Sequence, residues 1–445
     1  MTASTPSATR PFEVTNRMVF AIAAPMTLAF LTTPILGIVD TAVIGQFGDA
    51  ALIGGLAIGA VIFDFVFSML NFLRSGTTGF VAQALGRGDE TEQQAVFWRA
   101  VLLAAGFGLA LLVLAWPIRE LGVLLLEPGP GVAEATRTYV TIRMIGAPVS
   151  LINYALLGLL LGQGRATAGL LLQTLINGIN IALSIWLGLG LGWAIAGVAL
   201  ATIIGEAVGA AAGFWWILRK FDHAHAPSWA RILHRPAFLR LVSVNRDIMI
   251  RSIALLLAYG LFTRAGAQFG AVTLAANAIL MNFYMIAGYY LDGFATAAEQ
   301  IVGRSIGANH RPAFWRAVKL TCVWGFLLAG FTTAAVFLFG EPVIHFMTTA
   351  AGVREEATEF LFWAAIAAVS GVLAFQMDGV YIGATWSGDM RNMMLASLAI
   401  FVVLLFMLVP VWGNHGLWFA LNVFLGARGL MLLAILPRKA RTVFG

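Results

Sequence analysis

The chain has 445 residues, 60% of them hydrophobic and 11% charged, with 48 glycines, a mean hydropathy of +0.88 and a net charge of +6. A soluble chain carries about 25% charged residues because its surface must face water, so a soluble globular fold is excluded. A lone cysteine, Cys322, excludes a disulfide-stapled secreted scaffold. The polar start runs straight into an apolar segment, so a cleaved signal peptide is not expected. The basic balance, which in a soluble protein would suggest nucleic acid, is what cytoplasmic loops of a membrane protein carry.

In chain order, apolar stretches long enough to cross ~30 Å of hydrocarbon as helices begin near residues 18, 51, 93, 137, 166, 193, 246, 274, 314, 357, 392 and 416. The sequence therefore predicts an all-α membrane protein of twelve transmembrane helices. A basic interruption near 219–247, with two prolines, separates six spans from six. The expected organisation is a first lobe over 1–217, a cytoplasmic connecting loop over 218–245 and a second lobe over 246–445. With the N-terminus inside, nineteen of the twenty-seven Lys and Arg residues fall in cytoplasmic segments and four in the opposite loops. That bias predicts both termini in the cytoplasm of a multi-pass protein of the inner (plasma) membrane.

The two halves resemble each other. GQFGDAAL at 45–52 is echoed by AQFGAVTL at 267–274, VAQALGRG at 81–88 by VGRSIGAN at 302–309, and VFWRAV at 96–101 by AFWRAV at 313–318. Six spans is an even number, so both copies insert in the same orientation as parallel repeats, an arrangement used by transporters. The lobes are thus expected to be pseudo-symmetric.

Ionisable residues inside spans carry the most information, since each costs about 2.5–3.5 kcal/mol at a helix centre. Six acids qualify: Asp40, Asp64, Glu206, Asp292, Glu299 and Asp378. Asp40 ends a stretch containing Pro25 and Pro34, which lets that helix bend. In the fifth span Asn177, Asn180 and Ser184 share a helical face, and Thr202 lies in the sixth. Together with Asp40 these oxygens offer a site for a small hard cation or a protonated carboxyl; interhelical hydrogen bonding is the competing explanation. Asp292 and Glu299 stand seven residues apart, two turns along one face. Met281 and Tyr284 belong to an aromatic and Met-rich stretch suited to flat cations. His223, His225 and His234 lie in the connecting loop, taken as mobile, without a fourth ligand, so no metal site is expected. GLGLGWAIAG follows no strand and precedes no Lys-Ser/Thr pair, so its glycines point to helix packing and not to a nucleotide.

Taken together, AAPMTLAFLTTPILGIVDTAVIG, NGINIALS, GVALATIIGE, LDGFATAAEQIVG, MDGVYIGA and NHGLWFAL resemble the multidrug and toxic compound extrusion (MATE) family, in particular its DinF-like branch. The resemblance spans nearly the whole chain. It implies the MATE/MOP-type fold, two six-helix lobes in a V, and export of organic cations or amphipathic compounds in exchange for protons or sodium. It matches the family's first-span acid to Asp40, its fifth-span asparagine to Asn180, its sixth-span threonine to Thr202 and its tenth-span acid to Asp378. Ser184 stands where related members often carry aspartate, and Ala258 and Tyr259 stand near the seventh-span glutamate of the vibrio-type branch.

The expected function is a secondary antiporter, not an enzyme, since no HExxH, paired-Asp or nucleophile motif is present. Its ion-coupling residues would be Asp40, Asn180, Ser184 and Thr202; its substrate cavity Asp40, Asn177, Met281, Tyr284, Glu299 and Asp378. Protons are expected as the coupling ion, because taking a carboxylate out of water favours its neutral form, with sodium as the alternative; no other cofactor is implied. A lipid-linked-sugar flippase would need a cationic cavity, whereas the embedded ionisable residues read mostly as acids. The expected partners are cationic or amphipathic small molecules and the lipid bilayer, with no nucleic acid and a monomeric chain.

Overall fold

Residues 10–445 are described by a computed structural model of the protein. The described residues form fifteen α-helices: α1 (Asn16–Gly45), α2 (Ala50–Leu70), α3 (Phe72–Arg87), α4 (Glu90–Val113), α5 (Ala115–Leu126), α6 (Pro130–Ile145), α7 (Ala147–Gly162), α8 (Ala166–Leu183), α9 (Ala194–Leu218), α10 (Trp229–Ile232), α11 (Arg235–Ala267), α12 (Ala271–Gly307), α13 (Arg311–Met347), α14 (Ala351–Gly383) and α15 (Ser387–Phe444). Ten helical runs are long and apolar enough to cross a bilayer, α2 with α3 forming one of them, and the pair α6–α7, bent by 53°, adds another. α15 joins two helices across Gly413, at φ 56° and ψ −133°. Among the described residues the spans therefore number twelve, in an all-helical membrane protein.

The repeat is visible in the places where glycine is required. Gly48 and Gly270 turn the chain ahead of α2 and α12 at φ 66° and 105°, a region that a side chain disfavours. Gly158 and Gly162 let α7 lie on α3, where a Cβ would stand 2.7 and 2.8 Å from the carbonyl oxygens of Arg74 and Thr78. Gly379 and Gly383 do the same for α14 on α12, with 2.2 and 2.1 Å to the carbonyls of Ala295 and Glu299. Close helix contact through small residues replaces hydrophobic driving force inside a membrane.

Contacts group the chain differently from a count of spans. One compact unit takes the chain up to Thr27, Gly86–Gly88 and Ser243–Gly445; the other takes Leu28–Leu85 and Asp89–Val242. Two helices, α1 and α11, therefore begin in one unit and end in the other. In the first unit, Ala23 and Thr27 of α1 press on Gly293 of α12, and Phe20 sits edge-on to Phe294 and Trp324. In the second, α2 packs on α6, α4 on α7 and α8 on α9.

The connecting loop is not the mobile segment its composition suggested. It holds a short turn at His223–His225 and the helix α10. Arg99, buried in α4, donates to the carbonyls of Ile232 (2.9 Å) and Arg231 (2.6 Å). Those carbonyls lie in the last turn of a helix, where acceptors are left over, so a guanidinium is a natural cap.

Candidate functional site

The last turns of α1 are placed by a glycine in α8's continuation. Immediately after α8 the chain makes a π-helical segment, Ser184–Gly190, in which Leu191 N–H reaches the Trp186 carbonyl. Such wide turns favour functional sites because they displace side chains from the regular helical path. Val43 of α1 lies where a Cβ on Gly188 would stand, 2.8 Å from it. That contact brings Asp40 against Ser184.

Asp40 is 7% exposed, and Asn180 and Ser184 are fully buried. The Ser184 hydroxyl lies 2.9 Å from Asp40 Oδ1 and 3.0 Å from Asn180 Oδ1. Asn180 Nδ2 donates to Thr202 Oγ1 at 3.0 Å, and the Thr202 hydroxyl donates to the Val198 carbonyl at 3.2 Å. The four residues form one continuous chain across α1, α8 and α9. Gly205 makes the α8–α9 approach possible, since a Cβ there would lie 2.8 Å from the Ile176 carbonyl and 3.2 Å from Asn180 N. One turn earlier Asn177 donates to Thr32 of α1 at 2.7 Å and accepts from Gln173 at 3.2 Å. The polar face of α8 and its continuation thus meets α1 at Asn177 and Ser184 and α9 at Asn180. Among the described residues no Lys or Arg makes a salt bridge with Asp40.

The other embedded acids have different surroundings. Glu206 accepts from Ser150 and lies 3.4 Å from Arg143 Nη1, whose guanidinium stacks 3.8 Å over Phe63. Asp64 is exposed on α2. Asp378 meets two arginines through one oxygen: Arg251 Nη2 donates to Oδ2, and Arg428 Nη2 is 3.1 Å from it. Asp378 is therefore a counter-ion and does not stand free for a substrate cation. Arg143, Arg251 and Arg428 are set among the six embedded acids. Each of the three is paired with a carboxylate.

Of the remaining expected cavity residues, Tyr284 is corrected most clearly: it is 1% exposed in the core of its unit, its hydroxyl 3.0 Å from that of Tyr259. Met281 is half-buried against the same core. Glu299 is 2% exposed beneath Gly383, while Asp292, two turns earlier, is exposed. Seven residues on a straight helix drift by about 20°, and here the two carboxyls do not share surroundings. In the connecting loop, His225 meets Asp222 at 2.8 Å and Glu90 at 3.5 Å, all exposed, apart from His223 and His234. The Ala224 N–H, followed by His225, holds the Asp222 carboxyl below its ordinary range. Sequence reasoning missed Thr32, Ser150 and the π-helical segment; the usable signal was the three arginines within spans, which demand acidic partners.

A MatE family model matches residues 25–186 and 248–411. The chain belongs to the MatE family. DNA damage-inducible protein F of Escherichia coli K12 is 37% identical over 428 residues, spanning 96% of this chain and 93% of that protein. A probable multidrug resistance protein NorM of Chromobacterium violaceum is 26% identical, spanning 96% and 94%. An outward-facing MATE multidrug resistance transporter of the MOP superfamily superposes with a TM-score of 0.86 at 16% identity, covering 96% of each chain, and a MATE structure in a bent conformation does so with 0.89 at 16% identity and the same coverage. The protein is a multi-pass membrane transporter of the MATE fold and not an enzyme.

Proposed function

We propose that this MATE transporter exports cationic or amphipathic compounds in exchange for protons, with Asp40 as the exchanging group. The observation that carries this is the chain Asp40–Ser184–Asn180–Thr202, in which, among the described residues, no Lys or Arg forms a salt bridge with the carboxylate. Its hydrogen inventory favours a proton. The Ser184 hydroxyl has one hydrogen but two acceptors in reach, so with Asp40 ionised one of those contacts lacks a hydrogen. With Asp40 protonated, the carboxyl donates to Ser184, Ser184 donates to the Asn180 carbonyl, and the Asn180 amide and Thr202 hydroxyl continue to the Val198 carbonyl. Every contact then has its own hydrogen.

Sodium needs several oxygens converging on one point, whereas these follow one another in a line and already touch. Ser184 in place of aspartate also leaves one carboxylate where the ion would gain from two. A substrate cation and a proton would compete for the same carboxylate: loading one displaces the other, and each state changes the contact between α1 and α8. A flippase of lipid-linked sugars receives less support, because Arg143, Arg251 and Arg428 are already paired with Glu206 and Asp378. On the basic-residue bias, the same reading keeps both termini in the cytoplasm of the inner membrane, the chain acting as a monomer.

The test is uptake of a fluorescent organic cation into proteoliposomes under an imposed pH step without sodium, and under a sodium step at constant pH. Transport driven by pH alone is expected. Transport that demands sodium and ignores pH overturns the proposal.

A further inference from the structure

Arg99 and Arg316 occupy the same position in the repeated FWRAV segment, and both grip main-chain carbonyls just ahead of a helix that passes between units. Arg99 holds Arg231 and Ile232, a few residues before α11 begins at Arg235. Arg316 Nε donates to the Val14 carbonyl at 2.6 Å, two residues before α1 begins at Asn16. The residues capping the two arginine-bearing helices match as well. Asp89, ahead of α4, accepts from Arg231 at 2.8 Å; His310, ahead of α13, accepts from Phe12 N–H at 3.4 Å. Around the second grip, Arg10 N–H donates to the Ala308 carbonyl at 3.0 Å, Trp324 donates to Asn16 at 3.0 Å, and Arg304 lies 4.2 Å over the Phe12 ring.

The segments being held, PFEVTN at 11–16 and SWARIL at 228–233, have little sequence in common. A shared grip on unlike segments is what recognition of backbone carbonyls permits, because every residue offers that group. A charged fork on a carbonyl also tolerates small rotations that an interlocked apolar contact resists.

We infer that Arg99 and Arg316 are a matched pair of positioning residues, each holding the lead-in of one crossing helix so that the helix moves from a fixed start. For α1 the consequence is direct. Its start is tied to α12 and α13 through Val14, Asn16, Phe20 and Thr27, while its far half carries Thr32 and Asp40 on α8. Arg316 thereby sets the point from which any movement at Asp40 is levered. Arg99 makes three bonds from a buried position, whereas Arg316 makes one from an exposed position. Loss of Arg316 should therefore act on turnover more than on folding. The inference depends on transport and not on the identity of the coupling ion.

The experiment measures hydrogen exchange and cation efflux on the full chain in lipid, comparing Arg316→Ala, Arg316→Lys, Arg99→Ala and Arg99→Lys. Arg316→Ala is expected to speed exchange at 12–20 and leave 229–238 unchanged, and to lower maximal turnover about fivefold at constant KM, the worth of roughly one hydrogen bond. Lysine should restore part of the loss, since it still donates to a carbonyl. Arg99→Ala should speed exchange at 229–238 alone; if it fails to fold, Arg99→Lys and the exposed Arg316 carry the test. Unchanged exchange at 12–20 in Arg316→Ala overturns the inference, as does a loss of efflux that only follows the loss of folded protein. A sodium-driven transporter showing the expected pattern would leave it standing while overturning proton coupling.

Discussion

Asp40 and Asp378 are both buried aspartates in the last turns of long helices, yet their neighbours give them opposite chemistry. Asp40 faces a hydroxyl that continues to an amide and another hydroxyl, all neutral. Asp378 faces two guanidinium groups, which are never deprotonated. A carboxyl among neutral, rotatable partners can gain or lose a proton while hydroxyls reorient around it. One between arginines is fixed as a counter-ion, because neutralising it strands two buried cations. In a repeated fold, an acid in each half therefore does not imply a coupling site in each half.

The largest effect should come from Asp40→Asn. The amide still accepts from Ser184 but carries no exchangeable charge, so efflux should fall to the level of empty liposomes while the detergent-purified protein keeps its melting temperature. Asp378→Asn should do the reverse, costing about 3–5 kcal/mol of stability, as breaking a buried pair does, while folded molecules go on transporting. A double-mutant cycle with Arg428→Gln should show coupling of roughly 1 kcal/mol or more between them; additive losses would break the contrast. Gly205→Val should push α9 from α8 at a cost of about 1–3 kcal/mol and lower efflux by separating Asn180 from Thr202. Ser184→Ala should reduce turnover about fivefold, the worth of roughly one hydrogen bond, without unfolding the chain. His225→Ala should be smallest, leaving the thermal melt unchanged, because the exposed pair with Asp222 is screened by water.

The fold was legible because a bilayer imposes a coarse rule: apolar stretches of one length become spans, and motif echoes near 221 residues apart disclose the repeat. The Asp40 chain was legible for a related reason. Asn180 of α8 and Ser184, one turn on in its continuation, share a face, and a helix offers few other faces for Asp40 and Thr202 to meet. The partners of Asp378 were not, since Arg251, Asp378 and Arg428 lie on three helices far apart in sequence and no periodicity links them. Tyr284 was misplaced because an aromatic stripe reads alike whether it lines a cavity or fills a core. The grips of Arg99 and Arg316 were hidden for a third reason: they hold carbonyls, which every residue carries and no motif records.

The most direct measurement is proton release when a cationic substrate binds the purified protein in weakly buffered detergent solution. Competition at Asp40 predicts proton release on cation binding at mildly acidic pH, where the carboxyl is loaded, fading as the pH is raised, with no release from Asp40→Asn and unchanged release from Asp378→Asn. Substrate binding without proton release, or equal release from Asp40→Asn, would contradict the account.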